Sequence, residues 1–257
     1  NKTYDGTVAA GVSIGDDRIN GDALTVTGTA SFGDRNAGTG KSVSVTNVAL
    51  GGVDAGNYVL NANSGSTTAD IAARTLNVNF NGVSKTYDGT LAAGISIGDD
   101  RINGDALTVT GTAAFGDKNV GTGKTVNVTG VALDGLDAGN YVLDMHGGST
   151  TADITARLLN YGVSGAQNRV YDGTTHATLN GYFEGLVEGD QVSMAGLLGS
   201  FSDKNAGSGK VVDYQVSTGH LTGQDAGNYV LNAQAGSTTA DITARTLNVS
   251  FGGVNKT

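Results

Sequence analysis

The chain contains no cysteine, no proline and no tryptophan among its 257 residues. The lack of cysteine excludes disulfides, thiolate metal sites and cysteine nucleophiles. Two explanations for it stay open: chance in a composition rich in small residues, or export in an unfolded state, where stray disulfides would obstruct passage. No apolar run approaches the roughly 18–20 residues that span a bilayer, so we expect no membrane insertion.

Basic residues are also few, with 15 Lys and Arg against 24 Asp and Glu and a net charge of -9. Nucleic acids and anionic membranes both attract basic patches, so neither is an expected partner. The three histidines, His146, His176 and His220, match no Ser-His-Asp order and no H-x-x-x-H spacing. We therefore expect no enzymatic activity.

What the chain does contain is one unit repeated three times, each copy roughly 84 residues long. A Tyr-Asp-Gly motif begins at Tyr4, Tyr87 and Tyr171, and "DAGNYVL" and "STTADI" follow in the same order in every copy. The first two copies are nearly identical, whereas the third has diverged around residues 175–198. We predict units at residues 1–73, 74–156 and 157–244, with residues 245–257 as the opening strand of a fourth unit.

The repeated unit has the pattern of β-strands. "LTVTGTASF" at residues 24–32 alternates apolar or small residues with Thr and Ser at a period of two. Gly, Asn and Asp separate such segments, and no stretch has a helical stripe of three turns. The pattern predicts a mostly-β fold class of tandem small β domains, with about six strands per unit and enough residues for an independent core.

The last segment, "RTLNVSFGGVNKT", closely matches "RTLNVNFNGVSKT" at residues 74–86. If such a segment opens each unit, the first copy lacks its first strand, and the final segment is a strand without a sheet. Unpaired strands and incomplete sheets favour edge pairing. We expect residues 245–257 to pair either with the third copy or with the first copy of a neighbouring molecule.

The Tyr-Asp-Gly motif is predicted to be structural. Asp-Gly closes tight turns, because Gly adopts positive φ and Asp bonds the nearby backbone. The tyrosine then suits an internal anchor better than an exposed platform for sugar stacking. We expect the same structural role for the "DAGNY" motif. The full set is Tyr4, Asp5, Gly6, Tyr87, Asp88, Gly89, Tyr171, Asp172, Gly173, Asp54, Asn57, Tyr58, Asp137, Asn140, Tyr141, Asp225, Asn228 and Tyr229.

Acidic and amide side chains in the Gly-rich loops are the type of ligand that Ca²⁺ prefers. The spacing matches neither an EF-hand nor a calcium-binding nonapeptide repeat, and the third copy lacks the paired aspartates. Asx-turns explain the same residues without a metal, so we expect no cofactor and keep calcium as the weaker alternative. Its candidate ligands are Asp16, Asp17, Asp34, Asn36, Asp54 and Asn57.

Two further sets of side chains are candidate sites. Lys41, Lys124 and Lys210 follow a glycine at matching positions; a Lys–Asn isopeptide crosslink needs a buried lysine, whereas we expect solvated lysines that open strands. The third copy alone adds Tyr182, Phe183 and Tyr214, which would be the ligand patch if one exists.

Together the motifs "KTYDGT", "DKN", "GTGK", "DAGNYVL" and "STTADITAR" resemble the YDG domain, which occurs in tandem in large bacterial surface adhesins. Many of those adhesins are similar to filamentous haemagglutinin and use two-partner secretion. The resemblance implies compact mostly-β domains, related to the "mostly β-grasp" repeats, in the extended repeat region of an adhesin. It implies an extracellular location on a Gram-negative surface and carries over no catalytic residues.

Two functions follow as expectations. In the first, the repeats are a spacer that extends a distal adhesive region for attachment or biofilm formation, and each repeat contacts its neighbours in the chain. One unit has a radius of gyration of about 12 Å, so three in an elongated array would reach roughly 100 Å. In the second, the repeats themselves bind host glycans or proteins, or one another, and gain from avidity.

Overall fold

Alternating threonine and apolar residues form the strands of this protein. The computed structural model describes residues 1–195 and 197–256. "TVTGTASF" is the strand Thr25–Phe32, with Ala30 and Phe32 buried on one of its faces. The described residues contain four 3-10 turns but no α-helix, and so no helix long and apolar enough to cross a bilayer. The predicted mostly-β fold class is confirmed.

Each predicted unit contains its own set of strands. Those of residues 1–73 are β1 (Lys2–Thr3), β2 (Ala9–Ala10), β3 (Thr25–Phe32), β4 (Gly38–Gly51) and β5 (Gly65–Ala72). Those of residues 74–156 are β6 (Arg74–Leu76), β7 (Val78–Val83), β8 (Lys85–Thr86), β9 (Gly94–Asp99), β10 (Thr108–Phe115), β11 (Gly121–Asp134), β12 (Tyr141–Leu143) and β13 (Gly148–Thr155).

The described residues of the third copy form nine strands. They are β14 (Arg157–Ala166), β15 (Arg169–Val170), β16 (His176–Glu184), β17 (Ser193–Met194), β18 (Leu198–Phe201), β19 (Gly207–Val216), β20 (Leu221–Thr222), β21 (Tyr229–Leu231) and β22 (Gln234–Thr243). Gly196 of the predicted third unit and Thr257 of the predicted final strand lie outside the described residues.

The sheets are built around antiparallel neighbours. In the first copy the order is β1-β5-β4-β3-β2, with β4 antiparallel to both β3 and β5. In the third copy it is β15-β22-β19-β18-β16-β14-β21, beside the small pair β17-β20. The second copy has the order β10-β11-β13-β8 and the pairs β12-β6 and β7-β9. The short strand before each Tyr-Asp-Gly motif joins the sheet in parallel, as β1 does with β5.

The chain divides into two compact units. The first comprises Asn1–Val83, Ala93–Ala114 and Thr125–Thr151, and the second comprises Ser84–Ala92, Phe115–Lys124 and Ala152–Thr257. The core of the first unit includes Tyr4, Phe32, Val43, Ile71, Leu76 and Tyr141. A core cluster of the second unit consists of Ala177, Phe201, Val212, Ala240 and Ile242.

The segment that opens a copy pairs with two other strands of that copy. In the second copy, β6 pairs in parallel with β12 and β7 pairs antiparallel with β9. In the third copy, the single strand β14 pairs in parallel with β21 and antiparallel with β16. The buried residues Leu76 and Val78 show that this segment supplies part of the core. In the first copy, the counterparts of β12 and β9, residues 58–60 and 11–16, are not strands.

In each copy, a glycine with a positive φ also lies directly against the main chain of another segment. Gly135 has a φ of 115°, and a Cβ placed on it would lie 2.4 Å from the carbonyl oxygen of Ala106. Gly52 and Gly223 occupy the equivalent places in the other copies, with φ of 104° and 115° and equally close backbone oxygens. Glycine is therefore required here both by backbone conformation and by space.

We predict that Gly135→Ala lowers the free energy of unfolding by at least about 2 kcal/mol, because it combines backbone strain with a clash against main chain. Denaturant unfolding of the whole chain measures the change. Gly139→Ala is the control, since no atom lies within 4 Å of its added Cβ. Equal effects of the two substitutions would contradict the prediction.

Candidate functional site at the repeat junctions

The Tyr-Asp-Gly turn holds its tyrosine in a fixed position. Asp5 accepts hydrogen bonds from the backbone N–H of Thr7 (2.9 Å) and from the Nζ of Lys2 (2.6 Å), and Gly6 has a φ of 75°. The Lys2 hydrogen bond, followed by that of Thr7, lowers the pKa of Asp5 to about 2. The same aspartate–threonine contact recurs at the turns that follow Tyr87 and Tyr171. The local sequence thus closes the turn and directs the preceding tyrosine inward.

The tyrosine of the first copy reaches a carboxylate of the second copy, within the first unit. Tyr4 is 1% exposed, and its hydroxyl donates to Oδ2 of Asp105 at 2.8 Å. The hydroxyl of Tyr141 donates to the same oxygen at 2.7 Å. The two tyrosine rings meet edge to face, with centroids 5.5 Å apart. One buried carboxylate therefore holds two aromatic rings from successive copies.

A cation completes the coordination of this carboxylate. Nη1 of Arg35 lies 3.0 Å from the other oxygen of Asp105, and Nη2 donates to Oδ1 of Asp137 at 2.9 Å. The contact with Asp105 is an ion pair, and Oδ1 of Asp105 accepts no hydrogen bond from the described residues. The Asp105 side chain is 0% exposed, whereas that of Arg35 is 38% exposed. The charge of Asp105 is thus balanced from the partly exposed rim of the site.

A backbone contact runs beside these side chains. The N–H of Ala37 donates to Oδ1 of Asn140 at 2.8 Å, and Nδ2 of Asn140 donates to Oδ1 of Asn36 at 3.3 Å. Asn140 ends the 3-10 turn Ala138–Asn140 and is 4% exposed. Asp137, just before that turn, accepts the N–H of Ala106 at 2.9 Å. The "DAGNY" motif therefore supplies three groups of this site, which we call the first junction: Tyr4, Arg35, Asn36, Ala37, Asp105, Asp137, Asn140 and Tyr141.

The second unit contains an equivalent site between the second and third copies. The hydroxyls of Tyr87 and Tyr229 donate to Oδ2 of Asp190 at 2.8 and 2.6 Å, with ring centroids 5.5 Å apart. Nζ of Lys118 lies 3.0 Å from Asp190 and 3.4 Å from Asp225. Lysine here replaces the arginine of the first junction and still contacts both carboxylates.

The backbone contact also recurs in this second junction. The N–H of Val120 donates to Oδ1 of Asn228 at 2.9 Å, and Nδ2 of Asn228 donates to Oδ1 of Asn119 at 3.2 Å. The third copy differs from the first two across much of its first half, yet the junction keeps its geometry. The arrangement is therefore a property of the repeat and not of two nearly identical sequences.

Ionisation of the junction groups follows from burial and from these bonds. Burial, followed by the Asp105 hydrogen bond, raises the pKa of Tyr4 to about 12, and burial and Asp190 do the same to Tyr229. Burial alone would raise the pKa of Asp105, but Tyr141, Tyr4 and Arg35 together lower it below its usual value. The hydrogen bond to Asp190 raises the pKa of Lys118. At neutral pH the site therefore contains neutral tyrosines, an ionised aspartate and a cation.

The sequence analysis did not identify the shared aspartate or the cation of each junction as site residues. Asp105 and Asp190 end the segments "NGD" and "EGD", and Asp22 ends "NGD" in the first copy. The Gly-Asp pair is thus present in all three copies, and this was the available signal. Arg35 and Lys118 likewise stand between Asp and Asn in the "DRN" and "DKN" segments.

The candidate calcium ligands lie in separate contacts. Asp16 forms an ion pair with Arg18 and Asp34 forms one with Lys41, both at 2.6 Å. In the part of the chain that the structure describes, no three His, Cys, Asp or Glu side chains are grouped closely enough to hold a metal ion. The residues concerned are Asp16, Asp17, Asp34, Asn36, Asp54 and Asn57.

The matching lysines are less solvated than expected. The side chains of Lys41, Lys124 and Lys210 are 16%, 13% and 12% exposed, and each Nζ lies 2.6 Å from an aspartate seven residues earlier. The expectation of solvated lysines is wrong, because each aliphatic stem lies along the glycine that begins its strand, as at Gly38.

The aromatic residues added in the third copy have different neighbours. Tyr182 is 54% exposed and lies across Gly162 of β14. Phe183 packs edge to face on Tyr161, with ring centroids 5.2 Å apart. Tyr214 is half-buried on β19, opposite Gly236 of β22. Tyr182 is the most exposed of the three.

Comparison with known families identifies the repeat. The model of the YDG domain matches residues 1–69, 72–152 and 155–240. No curated protein matches the chain. The junction groups lie inside these three matched ranges.

We predict that Tyr4→Phe lowers the free energy of unfolding by about 1–3 kcal/mol, because it leaves a buried carboxylate one donor short. Urea denaturation of the whole chain measures this. Tyr171→Phe is the matched control, since Tyr171 is half-buried and its hydroxyl contacts no carboxylate within the described residues. Its effect should stay within about 0.5 kcal/mol, and an equal loss in both variants would contradict the role of Asp105.

Stability should also fall at both extremes of pH. Folding raises the pKa of Tyr4 from 10.0 to about 12, so the folded chain retains more protons and the free energy of unfolding falls as pH rises through that range. Folding lowers the pKa values of Asp105 and Asp190 below 3.8, so stability falls as pH drops below that value. Urea midpoints measured across pH test both limbs. Tyr4→Phe should reduce the alkaline fall, and an unchanged fall would contradict the assignment.

Proposed function

This chain belongs to the YDG domain family, and we propose that it is the spacer region of a bacterial cell-surface adhesin. The observation that carries the proposal is the junction, which occurs twice with the same tyrosine pair, carboxylate and cation. A spacer needs each domain to be fixed to the next, and a buried carboxylate with donors from both copies supplies such a connection. The adhesin context comes from the resemblance of the motifs to tandem YDG repeats of surface adhesins.

The chemistry of the motifs supports a structural rather than a catalytic role. The tyrosine, aspartate and asparagine residues of the junctions donate and accept bonds within the protein, which leaves few of their polar atoms for a substrate. Separating two copies would break the hydrogen bond from a tyrosine and the ion pair with a cation at the same carboxylate. Such a cost suits a chain that transmits force between a surface and a distal adhesive region.

One observation favours a second function. Tyr182 is 54% exposed on β16, and exposed aromatic rings bind sugars and proteins. In this alternative the third copy is itself a weak binding module for host glycans or proteins.

Beads coated with the whole chain and applied to host cells and glycan surfaces distinguish the two functions. The spacer proposal predicts no retention above uncoated beads, because adhesive chemistry lies outside the repeats. Retention that Tyr182→Ala abolishes would contradict it and favour the binding module. Tyr182→Phe, which keeps the ring, is the control, and Phe183 is left unchanged because it packs on Tyr161.

A further inference from the structure

A tight turn leads directly into the shared aspartate of the first junction. The N–H of Asp105 donates to the carbonyl oxygen of Ile102 at 3.1 Å, which places Asn103 and Gly104 at the tip of the turn. Both tip residues are exposed, and Gly104 has a φ of 97°, which glycine adopts without strain. The turn therefore sets the main-chain position of the junction carboxylate.

The same turn contacts both tyrosine-bearing segments of this junction. A Cβ placed on Gly6 would lie 3.2 Å from Cγ2 of Ile102, so the Tyr-Asp-Gly turn of the first copy packs on it. The N–H of Ile102 donates to the hydroxyl oxygen of Tyr141 at 2.9 Å, and that hydroxyl donates to Asp105 at 2.7 Å. A change in the main chain of the turn is thus transmitted to Tyr141 and to the carboxylate that Tyr4 binds.

The tip of the turn has the two groups that form a cyclic imide. An asparagine side chain and the main-chain nitrogen of the next residue close a five-membered ring, and glycine has no Cβ to obstruct their approach. The N–H of Gly104 and the side chain of Asn103 make no hydrogen bond within the part of the chain that the structure describes. Apart from the neighbouring residues in the chain, no atom lies within 4 Å of a Cβ built on Gly104. Both reacting groups can therefore move toward each other.

We propose that Asn103 is a spontaneous modification site, at which isoaspartate forms and weakens the first junction. The nitrogen of Gly104 attacks Cγ of Asn103 and loses its proton, and the side-chain amide takes up a proton and leaves as ammonia. Water then opens the succinimide. Addition at Cγ gives aspartate, whereas addition at the main-chain carbonyl carbon gives isoaspartate, whose chain continues through Cβ and Cγ. Water is the only co-reactant, and the proposal does not depend on the spacer role.

Isoaspartate changes the length of the turn as well as its charge. One methylene group enters the main chain between Ile102 and Asp105, whose carbonyl oxygen and N–H now close the turn at 3.1 Å. A longer turn displaces Asp105 from the hydroxyls of Tyr4 and Tyr141. Because a buried carboxylate is costly when its donors are lost, the displacement lowers the stability of the junction.

The first copy contains the same reactive turn. Asn20 and Gly21 are both exposed, Gly21 has a φ of 107°, and the N–H of Asp22 donates to the carbonyl oxygen of Ile19 at 3.1 Å. Since the local geometry is the same, we expect Asn20 to react as Asn103 does.

The third copy has this turn without the reactive amide. The N–H of Asp190 donates to the carbonyl oxygen of Val187 at 3.2 Å, and Glu188 and Gly189 form the tip. Glutamate has no amide to release as ammonia, so the second junction resists the reaction. Glu188 also shows that a carboxylate at this tip is compatible with the junction geometry. Weakening at Asn103 is therefore expected from the longer main chain and not from the added charge.

Two further Asn-Gly pairs of the chain lie in strands and serve as internal controls. Asn81 and Gly82 are in β7, which pairs with β9, and Asn180 and Gly181 are in β16, which pairs with β14. Ring closure at these pairs requires the strand to separate from its partner first, and that local opening costs free energy. The fold therefore predicts which Asn-Gly pairs react and which do not.

Peptide mapping by mass spectrometry tests the site on the whole chain, incubated folded at mildly alkaline pH. We expect deamidation at Asn103 and Asn20 to be at least about tenfold faster than at Asn81 and Asn180, because local opening of a strand adds to the activation free energy. An isoaspartate-specific methyltransferase should label the peptide that contains residue 103. Equal rates at all these positions, or no isoaspartate at residue 103, would overturn the proposal.

Urea denaturation before and after incubation tests the effect on the junction. Asn20→Gln leaves Asn103 as the reactive turn residue, because glutamine closes its larger ring far more slowly. We expect the urea midpoint of this variant to fall in proportion to its isoaspartate content. The matched control, Asn20→Gln with Asn103→Gln, should keep its midpoint. An unchanged midpoint in the modified Asn20→Gln chain would overturn the effect on the junction.

A charge control separates the two changes that the reaction makes. Asn20→Gln with Asn103→Asp has the added carboxylate on an ordinary main chain, and is measured without incubation. Its urea midpoint should equal that of unmodified Asn20→Gln, as the presence of Glu188 in the third copy indicates. A fall as large as that caused by isoaspartate would assign the effect to charge and overturn the role of the longer turn.

Discussion

The buried carboxylate shared by two successive copies is the contact on which the rest of this structure depends. An ionised aspartate without exposure is costly unless its charge is balanced and hydrogen bonds are donated to the carboxylate. Asp105 meets that condition only when Tyr4 and Arg35 of the preceding copy join its own Tyr141. Neither copy satisfies the site alone, so the carboxylate specifies which surfaces of neighbouring copies meet and in what orientation.

The same constraint explains why a tyrosine begins the motif at Tyr4 and Tyr87. Phenylalanine would fill the volume beside Tyr141, but it has no donor for the carboxylate. The Asp-Gly that follows is a local device: it closes the turn through Thr7 and leaves the ring pointing inward. Lys118 takes the place in the second junction that Arg35 has in the first. Asp190 and Asp225 need a positive charge close to both carboxylates, and the flexible ammonium of Lys118 supplies it.

Local features of this protein could be predicted from sequence, whereas its long-range contacts could not. Alternation in "TVTGTASF" predicts a strand because one face must be buried, and Asp5-Gly6 predicts a turn because both residues act within it. The partner of Tyr4 lies about a hundred residues away, and no periodicity relates the two positions. The three copies share the Gly-Asp pair of Asp22, Asp105 and Asp190, but only the fold shows that a tyrosine of the preceding copy reaches Asp105 and Asp190. Lys41 was misjudged for a similar reason, because its burial depends on a glycine and an aspartate brought close by the strand.

The strand that opens a copy follows directly in sequence on the last strand of the preceding copy. In the second copy, β6 and β7 follow directly on β5 of the first, so the core of one copy is completed by a segment continuous with its neighbour. Strand insertion and the tyrosine–carboxylate contact therefore reinforce each other: the strand fixes the register, and the carboxylate fixes the face.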